Sequence, residues 1–188
     1  MPDPRVLPSA APPRVFLTGY RGAGKTTVAR LLAQRLGWEA VDTDDLIEQA
    51  AGKPIAAIFS EEGEPAFRDL EERVVQQACG LDQTVIALGG GAVLRGATRE
   101  RVRAGHARVV ALSAGPAKLA ERLAGDGTTG ARRPNLTAQG GLAEIEQLLA
   151  ERAPIYRACA DLEIDTSELA PEQIAREIAR WLGTNPAE

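Results

Sequence analysis

Gly19-Tyr-Arg-Gly-Ala-Gly-Lys-Thr26 fits G-x-x-x-x-G-K-[ST] at every fixed position, the phosphate-binding P-loop pattern. Its flanks match as well. Val15-Phe-Leu-Thr18 reads as a short buried strand, and Val28 to Arg35 reads as a helix. A strand feeding a glycine loop and then a helix N-terminus is what phosphate binding requires. The first N–H groups of the helix have no helical partners and point at an anion, and the helix dipole favours negative charge there. Gly22 and Gly24 let the backbone approach phosphates without an intervening Cβ. Lys25 reaches the outer phosphates in such a loop, and the Thr26 hydroxyl ligates Mg²⁺. Glycine-rich strand-to-helix turns also occur without ligands, so the motif needs support from the rest of the chain.

The 188 residues suffice for one well-cored domain and are too few for two ordinary ones. A net charge of −4 provides no global basic field to draw the chain to nucleic acid or an anionic membrane. Lys25, Lys53 and Lys118 are the lysines, so most of the 22 basic residues are arginine. Codon bias accounts for most of them, and bidentate recognition of phosphate or carboxylate is argued below for particular ones. Cys79 and Cys159 form no C-x-x-C motif, and two free thiols in a reducing cytoplasm are expected. A single histidine, His106, cannot anchor a metal cluster and reads as a surface or turn residue. No apolar run approaches the length of a membrane span. Residues 1–13, rich in Pro and Ala, read as a disordered leader, and 185–188 as a tail.

Strand and helix patterns alternate along residues 14–184, predicting one α/β domain with a parallel sheet. Strands are expected at Arg14–Thr18, Glu39–Asp42, Thr84–Leu88, Arg108–Leu112 and Leu162–Asp165. The intervening helices are expected near 28–35, 44–51, 54–60, 64–78, 95–104, 116–123 and 142–152, with a closing helix at 171–182. Thr43 is the expected cap of the second of these, and Gly37 and Gly52 are expected helix stops. Gly125 to Gly141 breaks the rhythm. Glycine-flanked, polar and without apolar period, it reads as a lid or a disordered insertion.

In an open parallel sheet, ligands bind beyond the carboxyl ends of the strands. Four polar stretches fall there: the P-loop, Asp42-Thr43-Asp44, Gly89-Gly90-Gly91 and Asp165-Thr166. Asp42, facing the P-loop, can hold Mg²⁺ through water beside Thr26. Asp44 could meet an acceptor hydroxyl, or it and Asp45 could simply favour a helix N-terminus. Arg68 and Glu71 share a helix face at i, i+3, either as an ordinary surface ion pair or as an arginine held for an anionic substrate. Three consecutive glycines suggest a close approach of backbone to ligand, although a tight turn would need only one or two.

Taken in order, these motifs resemble the shikimate kinase family. The resemblance rests on GYRGAGKTT at Gly19, DTDDLIE at Asp42, the run from Ile58 to Glu71, ALGGGAV at Ala87, RRPNLT at Arg132 and ERAPIYRACADLEIDT at Glu151. It covers nearly the whole chain after the leader. It implies a three-layer P-loop kinase fold with a central five-stranded parallel sheet and a mobile lid at about 125–141. It also implies transfer of the ATP γ-phosphoryl group to the 3-hydroxyl of shikimate, on the way to chorismate and the aromatic amino acids. The residue roles follow by position. Gly22, Ala23, Gly24, Lys25, Thr26 and Thr27 would bind ATP, with Arg122 and Pro171 beside the adenine. Thr26 and Asp42 would serve the metal, and Asp44 would bind the acceptor hydroxyls as candidate base. Arg68 and Arg152 would clamp the carboxylate, Glu71 would orient the site, and Gly89, Gly90 and Gly91 would line it, with the Gly90 amide facing the substrate. Lys25, Asp44 and Arg133 would form the catalytic set, although Arg132 stands beside Arg133. Ser167 to Ala170 carries no arginine where some members have one, leaving adenine to backbone and Pro171. The expected cofactor is Mg²⁺, the partners are ATP and shikimate, and the expected state is a cytoplasmic monomer.

Two rivals remain at this level. Another small-acceptor P-loop kinase, such as a gluconate kinase, would use a different polyol acid. A nucleotide switch or degenerate binding module would bind without phosphorylating. A GTPase switch should carry N-K-x-D and D-x-x-G, and the sequence has neither.

Overall fold

A computed structural model describes residues 14–125 and 141–183. The leader, the segment 126–140 with Arg132 and Arg133, and residues 184–188 lie outside the described residues. Five strands, β1 (Arg14–Thr18), β2 (Glu39–Asp42), β3 (Thr84–Ala87), β4 (Arg108–Ser113) and β5 (Leu162–Asp165), form one sheet in the order β2-β3-β1-β4-β5. Every pairing is parallel, with Phe16 opposite both Ile86 and Val109. The expected α/β class and five-stranded parallel sheet are therefore present.

The strand order decides which face each helix covers. Parallel crossovers are right-handed, so connections running in opposite directions across the sheet lie on opposite faces. The β1-to-β2 step, through α1 (Lys25–Leu36), runs one way. The later steps run the other way, through α2 (Thr43–Ala51), α3 (Ile55–Ala78), α4 (Gly96–Arg103), α5 (Pro116–Gly125) and α6 (Gly141–Cys159). The closing helix α7 (Pro171–Trp181) packs on α1, and α3 touches α4. The result is three layers. The central strands are buried on both sides, with Val15, Phe16, Leu17, Val85 and Ile86 fully inside.

A smaller apolar cluster of Ile47, Ile55, Ile58, Phe67 and Val74 joins α2 to α3. It fixes α3 over the carboxyl edge of the sheet. The two helices expected at 54–60 and 64–78 are present and meet within α3 at a kink at Gly63, whose φ of 82° and ψ of 171° are not helical. The helix expected to stop at Arg152 instead runs through Pro154 to Cys159, because Tyr156 and Cys159 are buried and hold the last turns to the core. His106 is exposed in a turn, as expected.

Thr43 does not cap α2. Asp42 does, with its Oδ1 accepting from the Asp44 N–H at 2.9 Å. The Thr43 hydroxyl is engaged elsewhere, accepting the Gly89 N–H at 2.9 Å from a fully buried position.

Candidate active site

Because all five strands are parallel, the polar stretches at their carboxyl ends share one edge. The P-loop leaves β1 at Gly19, where φ is +136°. A Cβ there would lie 2.1 Å from the Leu112 carbonyl oxygen, so only glycine allows the loop to pass β4. Gly24 precedes α1 with a left-handed φ of 91°. The Lys25 ammonium donates to the carbonyls of Gly19 at 2.8 Å and Tyr20 at 2.9 Å, which holds it over the loop.

Thr26 Oγ1 donates to Asp42 Oδ2 at 2.6 Å, so the residues expected to serve one metal do meet. Burial pushes the Asp42 carboxyl above its usual range, opposed by the Thr26 hydrogen bond. Two hard oxygen donors, one of them a desolvated carboxylate, fit a small divalent cation. Among the described residues no three His, Cys, Asp or Glu side chains gather as a metal cage. Asp44, half-buried, follows Asp42 at the start of α2.

Arg68 and Glu71 are not a surface pair. Arg68 Nη1 donates to Glu71 Oε2 at 2.7 Å, with side-chain exposures of 11% and 4%. Glu64 accepts from the same guanidinium at 3.0 Å. Burial disfavours the Arg68 charge, but Glu71 and Glu64 outweigh it and raise its pKa. The guanidinium lies against the glycine turn. A Cβ on Gly91 would stand 2.2 Å from Arg68 Nη1. One glycine in the triplet is thus explained by the approach of a protein side chain. Gly90 packs on the P-loop, where a Cβ would be 3.4 Å from the Arg21 nitrogen and 3.5 Å from the Gly19 oxygen.

Arg122 donates to Gly22 O at 3.3 Å, to Thr166 Oγ1 at 2.9 Å and to Thr166 O at 2.6 Å. It ties the P-loop to the loop between β5 and α7, which ends at half-buried Pro171. Arg152 is half-buried on α6, near enough to act electrostatically on Tyr20. Arg133 lies outside the described residues.

Three contacts had escaped the sequence reading. Arg21 Nη2 pairs with Glu144 Oε1 at 2.7 Å, and the Glu144 side chain is fully buried. The Tyr156 hydroxyl donates to the Gly90 carbonyl at 2.6 Å. Thr43 holds Gly89, as described above. Glu144, Arg152 and Tyr156 follow one i, i+4 ridge of α6, a spacing the sequence displayed without showing what the ridge faced.

A P-loop at the central strand, flanked by a glycine turn with a buried arginine, defines a P-loop kinase with a small acceptor. The comparisons narrow the class. A family model for shikimate kinase matches residues 21–183. A shikimate kinase of Rhodopirellula baltica is 48% identical over 169 residues, 90% of each chain. One of Thermobifida fusca is 47% identical over 170 residues, 90% of this chain and 95% of the relative. The structure of a shikimate kinase from Acinetobacter baumannii in complex with shikimate aligns with a TM-score of 0.84 at 34% identity, covering 94% of this chain and 96% of that one. The chain belongs to the shikimate kinase family, whose members transfer the ATP γ-phosphoryl group to shikimate. The gluconate kinase and non-enzymatic rivals yield to this assignment.

Proposed function

We propose that this edge binds Mg-ATP on the P-loop and shikimate above the Gly89–Gly91 turn, and makes shikimate 3-phosphate. The observation that carries the acceptor half is Arg68: a guanidinium taken out of water, held by Glu71, beside the turn that neighbours the P-loop. A buried, oriented guanidinium suits bidentate capture of a carboxylate. Arg152 supplies the second charge and Gly90 its amide, while Glu71 keeps Arg68 oriented.

Phosphoryl transfer needs positioning and charge neutralisation more than covalent help. The amides of Gly22 to Thr27 cradle the phosphates. Lys25 exchanges its loop carbonyls for phosphate oxygens and stabilises charge there. Asp44 orients the 3-hydroxyl and accepts its proton. Arg133 adds charge on the phosphates, and Arg122 and Pro171 frame the adenine. Thr26 and, through water, Asp42 would hold Mg²⁺, which would supply charge neutralisation on the phosphates. The enzyme acts as a monomer in the cytoplasm, a reducing compartment that suits free Cys79 and Cys159.

Steady-state turnover with ATP and Mg²⁺ tests the reading. Shikimate should support ADP release and gluconate should not. Turnover with gluconate alone, or nucleotide binding with neither acceptor phosphorylated, overturns it. Sedimentation at working concentration checks the monomer.

A further inference from the structure

Tyr156 has no assigned part in the chemistry, yet it is 5% exposed and its hydroxyl reaches 2.6 Å to the Gly90 carbonyl. A buried phenol normally finds a partner, but the choice of partner here is informative. Gly90 is the middle of the turn, pressed against the P-loop backbone on one side. Its neighbours are fixed too: the Gly89 N–H by the Thr43 hydroxyl, and Gly91 by the flat guanidinium of Arg68. Glycine backbone is the most permissive there is, so a turn of three holds one conformation only if its surroundings impose it. The Ala92 N–H closes the turn on the Gly89 carbonyl at 3.0 Å, and Tyr156 adds the side-chain hold on the Gly90 carbonyl between them.

The same helix carries Arg152, one turn earlier on the same ridge, and Glu144, which anchors α6 to Arg21 of the P-loop. Tyr156 therefore sets two things together: the plane of the peptide between Gly90 and Gly91, and the distance from Arg152 to the turn. We propose that Tyr156 is a positioning residue for the acceptor, locking the glycine turn so that the Gly90 amide and Arg152 address one substrate. This rests on the proposed shikimate site.

The test is Tyr156→Phe, which keeps the ring and deletes the hydroxyl. The wild type is assayed first, since absent turnover with shikimate would refute the site itself rather than this inference. In the variant the shikimate KM should rise roughly 3- to 10-fold, as expected for losing one neutral hydrogen bond, with the ATP KM within about twofold. A purely structural role would lower the melting temperature and leave the KM ratio unmoved. A second readout is the ¹⁵N resonance of the Gly91 amide, which shares a peptide group with the Gly90 carbonyl. It should move upfield in Tyr156→Phe as that carbonyl loses its donor. An unchanged shikimate KM, an equal rise in both KM values, or an unmoved Gly91 resonance would overturn the proposal.

Discussion

Gly91→Ala tests the acceptor site through a residue that carries no functional group. Gly91 has φ −103° and ψ −7°, a negative-φ conformation that is open to alanine. The three atoms nearest the added Cβ all belong to Arg68: Nη1 at 2.2 Å, and Cζ and Nη2 at 2.8 Å. Ordinary contact is about 3.5 Å, so the guanidinium must retreat by more than ~1 Å. The Arg68–Glu71 bond is 2.7 Å long, and a retreat of that size away from Glu71 would take it past bonding range. Because the colliding atoms end a flexible side chain, the fold should survive while Arg68 loses its seat. A charge-assisted hydrogen bond is worth about 1.5–3 kcal/mol. The shikimate KM should therefore rise roughly 10- to 150-fold, with the ATP KM little changed, in an assay coupled to ADP release. The decisive control is the double variant. In an Arg68→Ala background the clash has no partner, so Gly91→Ala should add almost nothing. Additive losses, or an unchanged shikimate KM in the single variant, would refute the reasoning.

Arg152→Ala should also raise the shikimate KM roughly 10- to 150-fold by the same charge-assisted bond, with ATP affinity retained; a parallel loss of ATP affinity would place Arg152 elsewhere. Asp44→Asn should lower kcat far more than it changes ATP affinity in single-turnover and binding measurements, and near-normal kcat would remove Asp44 from the chemistry. Arg21→Ala leaves the fully buried Glu144 carboxylate without its guanidinium. It should destabilise the fold in urea unfolding by up to about 3–5 kcal/mol, and a cost below about 1 kcal/mol would show that the other contacts of Glu144 suffice to hold it.

What was legible in the sequence was what contiguous residues do. The P-loop, the Gly37 and Gly52 helix stops and the strand cores are local devices, and each appears where its pattern said. The Arg68–Glu71 pair was legible as a pair, but not as a buried one. Its burial depends on α3 lying against Gly91, a neighbour more than twenty positions away in the chain. The cap of α2 was misread for a similar reason. Asp42 and Thr43 are both competent caps, and the choice falls to the Gly89 N–H, which claims the Thr43 hydroxyl. Tyr156 and Glu144 looked like ordinary positions in a helix pattern. Only the sheet order, which brings α6 beside both the P-loop and the glycine turn, gives them partners.

That order also explains why such a site suits transfer between two small ligands. Neighbouring strands lie about 4.8 Å apart, so the ends of β1 and β2, separated by β3, are about 10 Å apart. The phosphate loop is on β1, the glycine turn on β3 and Asp44 just beyond β2. A span of about 10 Å holds a terminal phosphate and one ring-sized acceptor, and little more. On the other side of β1, β4 and β5 lead to Thr166 and Arg122, where the proposed nucleotide base rests. In the proposed site, donor base, phosphates and acceptor would run across the sheet in strand order. An in-line displacement needs the leaving group and nucleophile on opposite sides of the transferring phosphorus. With the phosphates on the central strand, as proposed, the topology would put them there before any side chain is chosen. Under that proposal Arg68, Arg152 and Gly90 would have a narrower task, to select which acceptor occupies the β3–β2 side. Substitutions among them should change acceptor affinity first, whereas substitutions in the P-loop should abolish transfer to any acceptor.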